Sequence, residues 1–428
     1  MLLALICVVF VATVLLGMPL VWALLLTTLA PMLLLGLHLP LQAVFLNYIG
    51  GIQPFEYVAI PLFVTAGNLM SRGGMGQRIV VFARTALGFL PGGLGMAVVA
   101  SSMVFGGISG SALADTAAVG SIMIPSLTAR GYSRSFAAAL VAAAGTIGII
   151  VPPSIPLIVY GFVAGVSVTQ LFLAGMLPGI VFALALMAVC AIKGRRDGFD
   201  AGGRLAGGRE LWRSFIGCLP ALVMPAIILG AVFSGAATPP EAAGLAVVYG
   251  LVVTTLLYRE LPWRDVPELV LDSFLTSAAV LVVIGATSVL AWMIAAEQMP
   301  ATLLAVIRAH AAAPWSFLLL VNITLLILGH VVEPLPAIIL VTPLFLPVAQ
   351  SFGIDPVHFG LIICCNLALG LFTPPIGVTL FVATRIAGIG VFSVLRDLVP
   401  LFIAAFIVLM LITYLPAVSL AAVWLFRG

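Results

Sequence analysis

Charge is the property that this 428-residue sequence lacks most. Only 7% of its residues are Asp, Glu, Lys or Arg, whereas ordinary soluble domains carry about 25%. The mean hydropathy is +1.32, and 63% of the residues are hydrophobic. These values exclude an ordinary soluble domain and predict a protein that crosses the membrane many times. The net charge of only +3 gives no support to nucleic-acid binding.

Cysteine is scarce as well, and its spacing contains no C-x-x-C pattern. All the cysteines lie in apolar surroundings, so we interpret them as small buried hydrophobic side chains. We expect neither a disulfide framework nor a metal–thiolate site. The five cysteines are Cys7, Cys190, Cys218, Cys364 and Cys365.

Long apolar runs fill most of the chain and predict about 11 to 14 membrane segments at roughly 20 residues each. The first run, residues 2–16, follows no basic leader, so we expect an uncleaved span instead of a signal peptide. The last run is residues 398–426. Six of the seventeen Lys and Arg residues lie between Lys193 and Arg213, which predicts a cytoplasmic loop. By the same rule, Arg72, Arg78 and Arg84 indicate a second cytoplasmic face.

Two regions, residues 89–174 and 315–406, are interrupted by Gly, Pro, Ser and Thr every few residues. Their proline pairs, Pro152–Pro153 and Pro374–Pro375, lie 222 residues apart. The same shift superposes further glycines and prolines of the two regions, which predicts an old structural duplication. Each copy reads as two apolar arms around a small-residue apex, followed by a helix with a break. We therefore expect a re-entrant hairpin and a discontinuous helix in each copy, with a pair of kinked spans as the alternative.

The breaks are the places where chemistry is expected. Proline removes a backbone donor and glycine tolerates the dihedral angles that follow, so several carbonyl groups lose their helical partners. Such groups survive in a membrane only when they are buried in protein or line a wet cavity. Carbonyl and hydroxyl oxygens suit a hard cation such as Na⁺, and the next half-helix offers free N–H groups to an anion. Two matching breaks therefore predict two ion sites with a substrate between them. The alternative is a pair of kinked helices without a ligand.

Hydroxyl and carboxyl groups cluster where each apex is expected to meet a break. Asp115 and Glu333 flank the two apices, and carboxylates at that depth indicate function, although each could instead cap a half-helix. For Glu241, which follows another proline pair, capping is the favoured interpretation. The hydroxyl residues are Ser109, Ser111, Thr116, Thr146, Ser154, Thr373 and Thr379, and any of them could simply bond its own backbone.

The long motifs of the chain resemble the large membrane subunit (DctM-like, M subunit) of tripartite ATP-independent periplasmic (TRAP) transporters. The resemblance rests on FGGISGSALAD and the following segment up to Gly179, on IPLFVTAGNLMSRGG (Ile60–Gly74), on FSGAATPPEAAG (Phe233–Gly244) and on GIDPVHFGLIICCNLALGLFTPPIGVTLFVA (Gly353–Ala383). The motifs occur in the same order and cover nearly the whole chain.

The resemblance implies a fold and an activity. The fold would be an all-α polytopic membrane protein with two inverted repeats and an elevator-type transport domain that moves against a scaffold. The activity would be Na⁺-driven import of a small organic acid, such as a C4-dicarboxylate, keto acid or sialic acid, with two or more Na⁺ ions and no prosthetic group. The partners would be a periplasmic substrate-binding protein and a separate small four-helix membrane subunit. The protein would lie in the cytoplasmic (inner) membrane of a bacterium or archaeon.

Carried onto this chain, the resemblance divides the residues into scaffold helices (1–88 and 215–312), two transport repeats (89–190 and 313–428) and a basic loop (191–214). The expected Na⁺ ligands are Ser109, Gly148, Val151, Pro153, Glu333, Gly370, Thr373 and Pro375. The expected substrate-binding residues are Ser111, Asp115, Ser154, Pro334 and Thr379. Arg385 is a further possible attractor for a carboxylate.

Other functions stay open at this point. A stand-alone two-hairpin carrier coupled to Na⁺ or H⁺ would use Asp115, Glu333 and His330 as proton candidates. His330 departs from the expected pattern at the second apex, where a buried, hydrogen-bonded histidine is the simpler interpretation. An intramembrane protease is a weaker alternative, because Gly107–Gly110 fits the pattern G-x-S-G. Ser109 would then need a histidine base, with His310, His330 or His358 as candidates.

Overall fold

The computed structural model describes residues 2–37, 40–200, 206–301, 304 and 313–427, and this part of the chain is helical without any β-strand. The helices are Leu2–Leu15, Leu20–Leu34, Leu41–Ile52, Ala59–Arg72, Met75–Leu87, Gly93–Ser109, Ala112–Ala129, Arg134–Gly145, Ile147–Ile150, Ile155–Ala164, Val168–Asp197, Gly208–Phe233, Pro239–Leu251, Val266–Ala296, Pro314–Gly329, Pro334–Ser351, Pro356–Leu371, Val378–Ala387, Leu395–Tyr414 and Pro416–Arg427.

The predicted all-helical membrane fold is confirmed. Within the described residues, eight helical segments are long and apolar enough to cross a membrane. The number rises to nine if the bent pair Leu41–Ile52 and Phe55–Arg72 is counted as one span. Several shorter apolar helices lie in the two interrupted regions. The run 398–426, expected as one span, is divided at Leu415, whose φ of −120° and ψ of 84° end the helix. The following Pro416 disfavours the helical conformation at that residue. Cys190, Cys218, Cys364 and Cys365 are free and buried as expected, whereas the side chain of Cys7 lies outside the described residues.

Both predicted helix breaks are present. The first separates Ile147–Ile150 from Ile155–Ala164, and the second separates Pro356–Leu371 from Val378–Ala387. The Pro152–Pro153 and Pro374–Pro375 peptide bonds are both cis. We call each interrupted pair a broken helix and its C-terminal part the second half-helix.

Each interrupted region also contains two helices joined by a short turn at the expected place, whereas their re-entrant course stays a prediction. The first hairpin is Gly93–Ser109 with Ala112–Ala129, and the second is Pro314–Gly329 with Pro334–Ser351. Their bases lie at opposite ends of the helix Leu395–Tyr414, which is about 30 Å long at 1.5 Å per residue. At one end Ser133, next to the base of the first hairpin, donates to Asp397 over 3.2 Å. At the other end the Tyr414 hydroxyl donates to the carbonyl of Trp315 in the second hairpin over 3.4 Å.

The two regions pack into each other reciprocally. The second half-helix Ile155–Ala164 packs against Pro334–Ser351 of the second hairpin. Its counterpart Val378–Ala387 packs against Ala112–Ala129 of the first hairpin. Because each region completes the other, they form one body, which we call the central group together with the helices Val168–Asp197 and Leu395–Tyr414.

The helices before the first hairpin and those between the two regions form a second body beside it, whereas Pro416–Arg427 packs against Val168–Asp197 of the central group. Ala59–Arg72 packs against Pro239–Leu251 and Val266–Ala296, and Gly208–Phe233 packs against Pro239–Leu251. We call the helices of residues 2–87 and 208–296 the outer group. Its ion pairs Arg72–Asp272 and Arg78–Glu260 are internal, each at 2.6 Å. In the described part of the chain no ion pair joins the outer group to the central group.

Basic residues from both clusters of the sequence meet in one groove. Arg78 pairs with Glu260, and Arg84 lies in the same groove as Arg209 and Arg213. The two basic clusters of the sequence therefore share one face, which we call the arginine-rich side. The predicted loop is shorter than expected, because helix Val168–Asp197 and helix Gly208–Phe233 both extend into it. Residues 201–205 of that loop lie outside the described part of the chain.

One ion pair gives a stability prediction for the central group. Lys193 Nζ lies 2.6 Å from Asp397 Oδ1, and the two side chains are 23% and 17% exposed. Replacing Lys193 by methionine leaves a largely buried carboxylate without its cation, with the Ser133 hydrogen bond still in place, so we expect a loss of about 1.5–3 kcal/mol and a lower Tm in detergent. Arg264→Met is the matched control, because the Arg264–Asp265 pair is far more exposed and such pairs contribute little. An equal Tm for the two variants would contradict this role of Lys193.

Candidate substrate cavity and ion sites

A cavity of about 550 Å³ lies where the two hairpin tips meet the outer group. Its central-group wall consists of the tips of both hairpins, the ends of the first break and Leu371 at the start of the second break. Its outer wall comes from Ala59–Arg72 and Val266–Ala296. The lining residues are Ile60, Val64, Gly67, Asn68, Ser109, Gly110, Ser111, Ala112, Leu113, Ala114, Ile149, Ile155, Pro156, Thr276, Ala279, Val280, Glu333, Pro334, Leu335 and Leu371.

Three helices begin at this cavity, namely Ala112–Ala129, Ile155–Ala164 and Pro334–Ser351. Helix N-termini carry a partial positive charge and attract anions, although Pro156, Pro334 and Pro336 supply no N–H group in the first turns here. No lysine or arginine is among the described residues that line the cavity. Arg385, considered above as an attractor, lies in the last turn of Val378–Ala387 and is not one of them. An anion in this cavity would therefore be attracted by the helix N-termini and not by a basic side chain.

The tip of the first hairpin is held together by two serines. Gly110 makes the turn with a φ of +59°, a conformation that favours glycine. The Ser111 hydroxyl then caps the second arm by accepting a hydrogen bond from the Ala114 N–H over 3.4 Å. The Ser109 hydroxyl donates to Asp115 Oδ1 and accepts from the Ser111 N–H over 3.1 Å. The cap of this arm is thus Ser111, which leaves the Asp115 carboxylate free for another role.

Asp115 is fully buried behind the hairpin tip, outside the cavity. Its second oxygen, Oδ2, has no hydrogen-bond partner among the described residues. A Cβ atom at Gly148 would lie 2.2 Å from this oxygen, and one at Gly106 would lie 2.8 Å from it. The carboxylate therefore fills the space that the two glycines leave open between hairpin and broken helix. Because an unpaired buried charge is costly, the position needs a proton or a cation.

The first hairpin tip lies directly on the first break. A Cβ atom on Gly107 would lie 3.2 Å from the Pro152 carbonyl oxygen, and one on Gly110 would lie 3.3 Å from that of Pro153. The Ser154 hydroxyl donates to the carbonyl of Ile149 over 2.5 Å and closes the break. Ser154 is fully buried and does not line the cavity. The structure thus brings the predicted residues Ser109, Gly148, Val151 and Pro153 to one buried contact between tip and break.

The second region repeats this contact. A Cβ atom on Gly370 would lie 2.5 Å from the carbonyl oxygen of Gly329, so hairpin and broken helix touch through their backbones. The Thr373 hydroxyl donates to the carbonyls of Leu369 and Gly370. The Thr379 hydroxyl donates to Leu371 over 2.9 Å, and Leu371 corresponds to Ile149 under the 222-residue shift. The two regions therefore hold equivalent carbonyls with hydroxyls from different positions, Ser154 and Thr379.

The second tip is the more open one. Glu333 occupies the N-cap position of Pro334–Ser351, makes no capping hydrogen bond and lines the cavity with Pro334. His330 Nδ1 contacts the carbonyl of Leu326, which agrees with the simpler interpretation, but the side chain is only half-buried instead of buried. Pro375 is exposed, whereas Pro153 in the first break is buried. Of the predicted substrate residues, the structure places Ser111 and Pro334 in the cavity and leaves Asp115, Ser154 and Thr379 behind its wall.

The other hydroxyl and carboxyl groups have structural partners. Thr116 and Thr146 donate to carbonyls of their own helices. Glu241 accepts from the N–H and hydroxyl of Thr238 over 2.7 and 2.8 Å, which confirms the predicted cap.

The protease alternative finds no support in these contacts. Ser109 bonds Asp115, His330 contacts Leu326, and His358 Nδ1 lies 2.6 Å from the Ser419 hydroxyl. The remaining candidate, His310, lies outside the described residues. No described histidine is thus in place to act as a base for Ser109.

The sequence analysis missed the outer wall of the cavity. Gly67 approaches the first hairpin so closely that a Cβ atom there would lie 2.8 Å from Ser109 Cβ. Asn68 lines the cavity and donates to the Ser273 hydroxyl over 2.8 Å, and Thr276 lies one turn further along the same helix. Gly67 and Asn68 belong to the motif IPLFVTAGNLMSRGG, which carried the only available signal for them.

Two hairpins and two broken helices around a central cavity are typical of a polytopic membrane transporter. The family model described as "Tripartite ATP-independent periplasmic transporter, DctM component" matches residues 7–418, and the chain belongs to this family. It is a large permease subunit, a class not known to be enzymatic.

The comparisons with individual proteins agree with this family. An uncharacterized Salmonella typhimurium protein is 40% identical over 88% of this chain and 86% of its own. A C4-dicarboxylate TRAP transporter large permease protein of Pseudomonas aeruginosa is 37% identical over 86% of each chain. A sialic acid TRAP transporter large permease protein of Vibrio cholerae is 36% identical over 96% of each chain.

Proposed function

We propose that this large permease subunit imports a small organic acid with the energy of a Na⁺ gradient. The observation that carries the proposal is the central cavity, where three helix N-termini converge without a basic side chain. Such a site attracts a carboxylate yet does not hold it as tightly as an arginine pair would. This suits a transporter that must release its substrate. The relatives named for C4-dicarboxylates and sialic acid share the carboxylate group with such a substrate.

The first Na⁺ ion is assigned to the contact between the first hairpin tip and the first break. Na⁺ prefers oxygen ligands, and its affinity rises with the charge of those ligands. The unpartnered Asp115 Oδ2 supplies a full charge next to Gly148, and the carbonyls around Val151 and Pro153 lie at the same tip. We therefore move Asp115 from the expected substrate residues to the ion site.

The second Na⁺ ion is assigned to the corresponding contact around Gly370 and Thr373. Leu371, next to Gly370, lines the cavity together with Glu333, and Pro375 in the same break is exposed. A free Glu333 carboxylate would repel an anionic substrate in the shared cavity, whereas a neighbouring cation removes that repulsion. This gives a direct electrostatic reason for Na⁺ and substrate to bind together. The stand-alone carrier remains the second candidate, with H⁺ on Asp115 or Glu333 in place of Na⁺.

Transport is assigned to movement of the central group against the outer group. The hairpin bases lie at opposite ends of Leu395–Tyr414, which supports two inverted repeats within the moving body. The ion pairs of the described residues hold each group together without joining the two. Such an arrangement permits sliding of one body along the other, as in an elevator mechanism.

The partners follow from the tripartite family. We assign to this chain a small membrane subunit and a periplasmic binding protein that delivers the substrate. The arginine-rich side is assigned to the cytoplasm by the positive-inside rule, which places the protein in the cytoplasmic membrane. The cavity would then receive substrate from the opposite, periplasmic side.

Uptake into proteoliposomes tests the coupling. With the small subunit and the binding protein present, an inward Na⁺ gradient is expected to drive accumulation of the organic acid. Collapse of this gradient with a Na⁺ ionophore is expected to stop accumulation, whereas a protonophore leaves it unchanged. Uptake that stops only with the protonophore would refute Na⁺ coupling and favour the proton-coupled candidate. Full uptake without the binding protein would favour the stand-alone carrier.

A further inference from the structure

A second large cavity lies on the arginine-rich side, far from the hairpin tips. It is a groove of about 1160 Å³ between the outer and the central group. Arg84, Arg209 and Arg213 come from the outer group, and Arg130 comes from the turn after the first hairpin. All four side chains are exposed. None of the four guanidinium groups has an ion pair or a hydrogen bond to another described residue, so their N–H donors are available to a ligand.

The acidic residues of the groove do not neutralise it. Asp200 accepts hydrogen bonds from the Tyr132 hydroxyl over 2.6 Å and from the Leu94 N–H over 3.0 Å. Its carboxylate is thereby held at the base of the first hairpin. Glu210 is the only other acid among the described lining residues. Four guanidinium groups against two carboxylates leave an excess of positive charge.

The groove also borders the hydrocarbon region. Arg209 and Arg213 lie in the first two turns of Gly208–Phe233, a helix that is long and apolar enough to cross the membrane. Trp212, which is 63% exposed, and Ile216 line the groove beside them. Exposed tryptophan at the end of a span is typical of the headgroup level of a bilayer. The groove therefore lies where lipid headgroups are and has apolar side chains on its membrane side.

We propose that this groove binds the phosphate group of an anionic phospholipid of the arginine-rich leaflet. The guanidinium fork matches two phosphate oxygens at once, and basic grooves between spans on the cytoplasmic side select anionic headgroups. The exposed Trp212 and Ile216 contact the acyl chains. Because the arginines come from both helix groups, one bound lipid bridges the two bodies at their edge. A dissolved anion would gain nothing from the apolar side of the groove, which is why the lipid is the occupant.

The test uses the full chain in nanodiscs of phosphatidylcholine with a small fraction of phosphatidylglycerol. After extraction into mild detergent, native mass spectrometry counts the phosphatidylglycerol that stays bound. Arg84→Gln combined with Arg209→Gln and Arg213→Gln is expected to reduce retention at least about tenfold, because each arginine near an anionic surface contributes about 1 kcal/mol. Arg264→Gln is the matched control, because Arg264 is an exposed arginine near the start of another span and does not line the groove. Its retention is expected to equal that of the unmodified chain.

The remaining outcomes decide against the proposal. Equal retention by the triple variant and the control would overturn it, provided that both have the Tm of the unmodified chain in pure phosphatidylcholine. Displacement of the lipid by millimolar inorganic phosphate would show a site for free anions. Loss of retention when the small membrane subunit is added would show that this subunit covers the groove.

Discussion

Replacing Asp115 by asparagine is expected to raise the Na⁺ concentration for half-maximal uptake by about tenfold or more, equivalent to at least about 1.4 kcal/mol. Asparagine has nearly the same shape and can still accept the hydrogen bond from Ser109. It lacks the negative charge, and cation affinity depends on the charge of the ligands. The effect is thus expected in Na⁺ dependence more than in protein stability. Uptake by proteoliposomes at a series of Na⁺ concentrations measures it.

Two further variants define the role of Asp115. Glu241→Gln makes the same change of carboxylate to amide at an exposed helix cap, so its Na⁺ dependence is expected to stay normal. Ser109→Ala removes the hydroxyl that orients Asp115 but keeps the charge, and a smaller loss of Na⁺ affinity is expected. If folded Asp115→Asn protein shows unchanged Na⁺ dependence, Asp115 does not belong to the ion site.

The helix breaks could be predicted from the sequence because proline acts locally. Single prolines such as Pro220 and Pro225 lie inside a helix of this structure, whereas each adjacent pair, Pro152–Pro153 and Pro374–Pro375, removes two consecutive backbone donors and lies at a break. The 222-residue spacing then related the two regions. It could not reveal that Ser154 and Thr379 hold equivalent carbonyls, since the two residues do not occupy equivalent positions in the repeats. That equivalence exists only in three dimensions.

The division between ion and substrate residues could not be predicted. Asp115 lies four residues after Ser111, about one helical turn, yet only Ser111 lines the cavity. The Asp115 side chain points into the space that the missing side chains of Gly106 and Gly148 leave open. This space exists only where two helices pack together, so the sequence does not show it. The outer wall was missed for the same reason. Gly67 looks like any glycine of a membrane helix until the first hairpin lies against it.

Replacing Gly67 by leucine is expected to reduce uptake by about 5- to 150-fold. Even a Cβ atom at this position would lie 2.8 Å from Ser109 Cβ and 2.9 Å from Ser109 Cα. Overpacking of such a contact costs about 1–3 kcal/mol, and that energy lowers the population of the state with the hairpin seated on the outer group by the same factor. The two groups can separate at this contact, so each is expected to stay folded. Uptake and Tm measured on the same preparations distinguish loss of transport from unfolding.

Gly244→Leu is the matched control, because Gly244 lies in another outer-group helix and a Cβ atom there would meet nothing within 4 Å. Leucine favours the helix over glycine to the same extent at both positions, so the difference between the variants reports the contact with Ser109. If Gly67→Leu and Gly244→Leu show equal uptake, transport does not depend on contact between the first hairpin tip and the outer wall. The cavity would then have to be closed by the central group alone, and movement between the two bodies would lose its place in the transport cycle.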